Sequence, residues 1–421
     1  MLLYFLGTFI FLIILFFVFI RIKYRFWAVQ PVYHFYNLYY MFVNVGIIRH
    51  ELPEKNRYTN FTDIETITAT KLLDDDPLTK VKLTDFMDLI QLNYLRNQDN
   101  TFFPEKDNIM PYFEGHNVPS YFSFFWQPDV LMDVKTGTTI DKKMLVGAIT
   151  SRPLFVTIWK TNNPELVKFE TYYVDYLCVK KGFRKKNIAP QLIQTHEYNQ
   201  CHNNKNICVS LFKREGELTG IVPLTAYKTF VFDMKNWNKP PNELHAKTTL
   251  LVGDSQNMYY LYNFINKLSS ETNKTRNHNH NHNHNKWDIK IMPEMTNLIS
   301  LVKSKNMYIY MLLTDMEIEA VYIFKKTCTN IEKGKEILTL IASINTIQLT
   351  KFIQGFKNAL WEILLKYPNY HYLAIEDISD NKYIINNIKE KTYPTFESPT
   401  AYFFYNYARS PFSSDKALII N

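Results

Sequence analysis

The stretch VDYLCVKKGFRKKNIAPQLIQ (174–194) contains the change of period on which the fold turns. Read with the residues before it, FETYYVDYLCV (169–179) is rich in β-branched and aromatic side chains and is expected to form a strand. After the break, IAPQLIQTHEYNQ (188–200) sets Ile188, Leu192 and His196 at helical spacing, and Pro190 is acceptable in a first turn. Between them Arg184, Lys185 and Lys186 lie just before the helix start. Free backbone N–H groups, the helix dipole and three cations together make an anion site suited to a pyrophosphate. Asn187 stands where such loops usually place glycine, and can take a left-handed or a capping conformation there. From spacing alone the competing reading is a solvated basic face.

On either side, strands and helices alternate. MLVGAIT (144–150) and LFVTIWK (154–160) read as two strands separated by Pro153, and LTDFMDLIQLNYL (83–95) as a helix. Residues 50–80, with Asp74, Asp75 and Asp76 ahead of Pro77, read as a connector. Further on, SSETNKTRNHNHNHNHNK, ending at Lys286, has too few apolar residues for a core and reads as a flexible insert. Its four histidines, His278, His280, His282 and His284, are read as low-complexity expansion rather than a metal site. Two α/β units on either side of this insert are expected. No period of 20–50 residues is present, which excludes solenoids.

Composition narrows the classes. Hydrophobic residues at 46% and charged residues at 21% exclude wholesale disorder. Four cysteines (Cys178, Cys201, Cys208, Cys328) are too few for a disulfide scaffold and lack metal-ligand spacing, so no metal site is expected. The net charge of +8 is a mild excess without a nucleic-acid recognition motif, so no nucleic-acid partner is expected. Residues 1–20, MLLYFLGTFIFLIILFFVFI, carry no charged side chain and are long enough to span a bilayer. They lack the basic start and small-residue cleavage site of a signal peptide. Arg21, Lys23 and Arg25 follow, which favours keeping that side in the cytosol. The expectation is a single-pass membrane anchor with the remaining chain cytosolic.

VDYLCVKKGFRKKNIAP (174–190) resembles the signature N-F-L-C-V-H-K-K-L-R-S-K-R-V-A-P of the eukaryotic-type N-myristoyltransferases. Leu177, Cys178, Val179, Lys181, Arg184, Lys186, Ala189 and Pro190 match; Asp175, Tyr176 and Asn187 replace Asn, Phe and Arg. Other elements follow in the family's order. YRFWAVQPV (24–32) is similar to Y-x-F-W-x-T-Q-P-V, NYLRNQDNTF (93–102) to N-Y-V-E-D-D-D-N-M-F, and LVGAITSRP (145–153) to L-V-G-x-I-x-x-x-P. IMPEM (291–295), AIEDISDN (374–381), AYFFYNYA (401–408) and the closing ALIIN (417–421) are similar to R-P-M-E-x, A-L-D-L-M-E-N, Q-Y-Y-L-Y-N-W and G-L-V-L-Q.

This resemblance implies two tandem acetyltransferase-like (GNAT-type) α/β folds sharing a saddle-shaped mixed sheet, preceded by the membrane helix. The expected division is an anchor at 1–20, an acyl-CoA-binding half at 21–240, an insert at 241–286 and a peptide-binding half at 287–421. The implied reaction is direct attack of an N-terminal glycine amine of a protein on myristoyl-CoA, a co-substrate rather than a resident cofactor. The resemblance assigns Arg25, Phe26 and Trp27 to the CoA end. It assigns Tyr176, Leu177, Cys178 and Val179 to the thioester, and Arg184, Lys185, Asn187, Ile188 and Ala189 to the phosphates. Backbone N–H groups of Tyr176 and Leu177 would hold the oxyanion. An α-amine is largely protonated near neutral pH, and the base implied is the terminal carboxylate on Asn421. Cys178 is read as packing, not as a nucleophile. A monomer is expected.

Departures cluster where peptides are recognised. The acidic E-D-D-D pattern reads Arg96, Asn97, Gln98, Asp99, and a glycine-rich loop has become YPTFES (393–398), with Glu397 in place of Asp. Two other readings follow: an acyl-CoA-dependent transferase with a different amine acceptor, and a non-catalytic membrane-anchored protein that binds acyl-CoA or peptide.

Overall fold

The structure is a computed structural model that describes residues 2–43, 45–95, 100–132, 139–159, 166–216, 220–240, 244, 247–270, 286–332 and 334–421. The histidine repeat and residues 96–99 lie outside these. Helix α1 (Leu2–Lys23) carries no charged side chain before Arg21 and Lys23 in its last turn, and it is exposed along nearly its whole length. It is long and apolar enough to cross a membrane. A short helix α2 (Leu38–Phe42) follows.

The body is a mixed α/β fold on one large sheet, with fifteen strands among the described residues. Strand β1 (Ile64–Thr68) pairs with β2 (Tyr121–Met132), separated from it in sequence by helix α3 (Pro77–Asn93). β2 pairs with the long β3 (Thr139–Trp159), and β3 with β4 (Leu166–Val179). Helix α4 (Ile188–Asn203) then crosses to β5 (Ser210–Glu215), which runs parallel to β4. The second half contains the same device. Strands β9 (Met307–Thr314), β10 (Glu317–Glu332) and β11 (Lys335–Asn345) are successive antiparallel neighbours. Helix α5 (Leu349–Lys366) then crosses to β12 (Tyr370–Glu376), parallel to β11.

The two halves exchange strands. β6 (Thr225–Asp233) pairs with β12, and β13 (Phe396–Tyr405) pairs with β5 and with β6. At the other end β8 (Ile289–Met292) joins β3, and β14 (Ala417–Ile419) lies parallel to β8. The tandem acetyltransferase-like expectation matches this doubled β–α–β arrangement.

Four sequence readings change. The connector expected at 50–80 contains β1, and the insert expected at 241–286 contains strand β7 (Thr248–Val252), antiparallel to β9, and a helix over Met258–Ser270. The expected helix at 83–95 begins at Pro77, with Pro in its first turn, where a missing N–H costs nothing. The two strands expected around Pro153 are one. On one side Pro153 opposes Tyr172; on the other it falls in a gap, because β2 ends opposite Ser151 and β8 begins opposite Phe155. Tyr172 donates its N–H away from it, to Val209, so no ladder bond is asked of the proline.

Candidate active site

The site begins with an irregularity in β4. Ala148 opposes Cys178 and Thr150 opposes Asp175, so Tyr176 and Leu177 together face the single residue Ile149. This is a β-bulge, and Tyr176 adopts a left-handed φ of 50° within it. Asp175 braces the bulge. Its Oδ1 accepts from the Tyr176 N–H at 2.8 Å and from the Tyr94 hydroxyl at 3.0 Å, while its carbonyl accepts from Thr150 Oγ1 at 3.0 Å. The Tyr176 ring is buried among Phe86, Tyr94, Phe102 and Phe113.

Downstream of the bulge, a cavity of about 430 Å³ is lined by Asn93 to Leu95, Leu177 to Val179 and the residues Phe183 to Arg184, Lys185 and Asn187 to Pro190. Arg184 is held on main-chain carbonyls, its Nε donating to Val179 O at 3.1 Å and its Nη2 to Asn93 O at 2.9 Å. Lys185 and Asn187 both take left-handed φ values, 66° and 60°. Asn187 is the N-cap of α4 by conformation but makes no side-chain capping bond, so of the two expected roles it takes the left-handed one. Lys186 does not line the cavity; its ammonium sits 4.8 Å from the Phe183 ring centroid. The Cys178 thiol is buried, its pKa pushed up to about 12 by burial despite the pull of Arg184. At neutral pH it is a thiol, a poor nucleophile.

Arg25, Phe26 and Trp27 are not in this cavity. Phe26 packs edge-on against Tyr58, and Trp27 stacks on Phe212. Arg25 lines a second, larger cleft of about 1010 Å³ together with Arg21, Arg49, Lys55, Arg57 and Lys205. Gln194 and Glu197, from the middle of α4, line the same cleft. One helix therefore joins the two spaces: its first turn faces the cavity, and Glu197, about 14 Å further along the axis, faces the cleft. Burial pushes the Glu197 carboxyl up to about 7, although Ser210 and Cys201 donate to it.

The chain's last residues lie inside the protein. Ala417 to Ile420 are buried, Ile420 N donates to Ile291 O at 2.9 Å, and Asn421 is 4% exposed. Leu418 and Ile420 belong to the same apolar cluster as Tyr176 and Cys178. The Asn421 main-chain oxygen accepts from Lys325 Nζ at 3.2 Å. Lys325 also lies 4.9 Å from the Tyr112 ring centroid, and the fully buried Arg152 lies over that same ring and over Tyr173. Burial and then Arg152 push the Lys325 ammonium down to about 8, while Asp175 pulls it upward. Sequence reading missed Lys325 and Arg152. The available signal was a cation at the edge of one apolar run, Lys325 in AVYIFKK (320–326), and within another, Arg152 in ITSRPLF (149–155).

Residues 68–223 match the family model described as Myristoyl-CoA:protein N-myristoyltransferase, N-terminal domain. That span includes the bulge, the basic loop and α4. Among solved structures, Saccharomyces cerevisiae N-myristoyltransferase with bound myristoyl-CoA aligns over 93% of this chain and 94% of that one, at 14% identity and a TM-score of 0.64. A second structure of the yeast enzyme with bound myristoyl-CoA gives 93% and 90% coverage, 15% identity and 0.65. These likenesses show the fold. A comparison with curated protein sequences finds no match. The segment that builds the cavity thus matches the N-terminal domain of the N-myristoyltransferase family, and the chain as a whole shares the fold of the yeast enzyme.

Proposed function

We propose that the chain moves a myristoyl group from myristoyl-CoA to the N-terminal glycine amine of proteins. The observation that carries this reading is that Leu177, next to the left-handed bulge residue Tyr176, lines the same cavity as the basic loop at the start of α4, while Tyr176 itself is buried behind it. The thioester carbonyl would sit at the bulge with its oxyanion held by the main-chain N–H groups of Tyr176 and Leu177, which requires the Tyr176 N–H to leave Asp175 Oδ1, its acceptor at 2.8 Å. The pyrophosphate would lie against Arg184, Lys185 and the N-terminal turn formed by Asn187, Ile188 and Ala189. The basic cleft with Arg25 is suited to the remaining phosphate-bearing end of CoA. A carboxylate on Asn421, buried and fixed by Lys325, would take the proton from the attacking amine. Its burial supports that role because desolvation disfavours the charged carboxylate and so raises its affinity for a proton. The reading includes residues 21–240 as the acyl-CoA half, 287–421 as the peptide half, and a monomer anchored by α1 with the catalytic body in the cytosol.

The test is incubation of the full chain, in detergent or vesicles, with myristoyl-CoA and glycine-starting peptides, with intact mass confirming Asn421 as the last residue. A peptide gain of one myristoyl group on the α-amine supports the reading. Acylation confined to lysine side chains or other amines would replace the acceptor. Stabilisation by myristoyl-CoA without turnover would replace the enzyme by a binding protein.

A further inference from the structure

We infer that Phe35 to Val43 form an interfacial collar that inserts into the bilayer beside α1 and fixes the body's orientation on the membrane. This rests on the membrane reading of α1 above. No Asp, Glu, Lys or Arg occurs between Arg25 and Arg49. Within that uncharged run α2 is held to the body by Tyr40, whose ring packs edge-on against the buried Tyr33. Its other large side chains face outward, with Leu38 64%, Tyr39 62% and Phe42 86% exposed.

The contacts of this segment with α1 set its depth. Phe35 packs edge-on against Phe16, and Tyr36 against Phe17, at centroid distances of 6.3 and 5.6 Å. Phe17 and Phe16 lie four and five residues before Arg21, or about 6–8 Å along the helix axis. With Arg21 and Lys23 at headgroup level, the collar therefore meets α1 below that level. An interfacial amphipathic segment buries its apolar face about 5–10 Å into the headgroup–acyl boundary, the same depth. Tyrosine-rich surfaces suit this zone because the ring is apolar and the hydroxyl reaches water. The attachment is also close: Phe35 N donates to Gly220 O at 3.2 Å, and a Cβ at Gly220 would approach the Phe35 ring to 3.0 Å. The body is thus tied to α1 at two levels, through the continuous backbone at Tyr24 to Ala28 and through the collar.

The test uses the full chain in phosphatidylcholine vesicles. A Cys208→Ser background removes the cysteine that is not buried, and fluorescent labels are placed by Leu38→Cys, Phe42→Cys, Ile10→Cys and Tyr393→Cys. Quenching by lipids spin-labelled near the glycerol and at mid-chain reads the depth. The labels at 38 and 42 should resolve about 5–10 Å below the phosphates. The label at 10 should lie near the midplane, and that at 393 should be reached only by an aqueous quencher. Labels at 38 and 42 that behave like the one at 393, while the label at 10 is quenched by lipid, would overturn the collar and leave the span intact. Labels at 38 and 42 shielded from both lipid and aqueous quenchers would overturn it in favour of a protein covering the face. A label at 10 beyond the reach of lipid quenchers would remove the membrane reading and the collar with it.

Discussion

Gly147→Ala should disturb the candidate site from beneath, at a position that is not itself assigned to it. Gly147 opposes Val179 in the β3–β4 ladder, beneath the first turns of α4. A Cβ there would meet Leu192 Cδ1 at 2.9 Å, Ile188 Cγ2 at 3.2 Å and Cys178 O at 3.3 Å. Both apolar neighbours are buried, so the helix must lift from the sheet or Leu192 must leave its rotamer. Overpacking of this kind costs about 1–3 kcal/mol. The denaturation midpoint should fall at unchanged m-value, and myristoyl-CoA affinity should fall because Ile188 and Ala189 line the cavity. Leu192→Val removes the atom in closest contact. Alone it should cost about 0.5–1.5 kcal/mol, as methylene-scale truncations do. Combined with Gly147→Ala it conserves volume, and the pair should be less destabilised than the sum by about 0.5–3 kcal/mol, the range for contacting residues. A single variant within about 0.5 kcal/mol of the parent, the range of ordinary surface changes, or strict additivity of the pair, would refute this account of how α4 is seated.

Lys185→Ala should raise the KM for myristoyl-CoA roughly fivefold, about 1 kcal/mol, with turnover at saturation unchanged, because a phosphate contact is made equally in ground and transition states. Arg184→Ala should in addition lower stability, since it strands the carbonyls of Asn93 and Val179; calorimetry on both variants separates the two effects. Adding one glycine after Asn421 should slow acyl transfer by about 10²-fold, the scale for a positioned base, whereas Asn421→Gln should retain activity; equal rates for the extended and parent chains would move the base elsewhere. Glu197 has a folded-state pKa of about 7 against an ordinary 4.5, so the folded protein holds its proton longer than the unfolded chain. Its contribution is intact below about pH 4.5 and is lost as pH rises towards 7, amounting to about 3 kcal/mol above that. Glu197→Gln should therefore gain stability relative to the parent across that window and hold a constant advantage above it, measured by urea denaturation at stepped pH.

The strand, basic loop and helix of 169–203 were legible because the period changes within a few residues and the charges fall together in sequence. The bulge was not. A two-residue bulge leaves little mark in a run such as YYVDYLCV, where every side chain but Asp175 suits a strand, and it is defined by the register against Ile149. Pro153 was misread because a lone sequence does not reveal that its strand has a gap between two partners there. The separation of Arg25, Phe26 and Trp27 from the loop residues was equally hidden, since it depends on α4 presenting different turns to two spaces. Lys325 lies 96 residues before Asn421, and only the exchange of strands between the halves brings them together.

That exchange bears on how the molecule comes apart. β13 lies between β5 and β6, while β14 closes against β8, which in turn pairs with β3, so each half completes the other's hydrogen-bond ladder. Neither half can melt while leaving the other whole, because the survivor would be left with open central strands and bare apolar faces. Heat or denaturant should therefore dismantle the body in one cooperative transition despite its repeated architecture. Assembly pays in speed for the same reason: pairings such as Thr225–Tyr402 and Ile289–Ala417 close long loops before they yield contacts. A nascent chain would carry unpaired β5 and β3 edges until the later strands are made, and in that interval it would be exposed to edge-to-edge aggregation and dependent on chaperones.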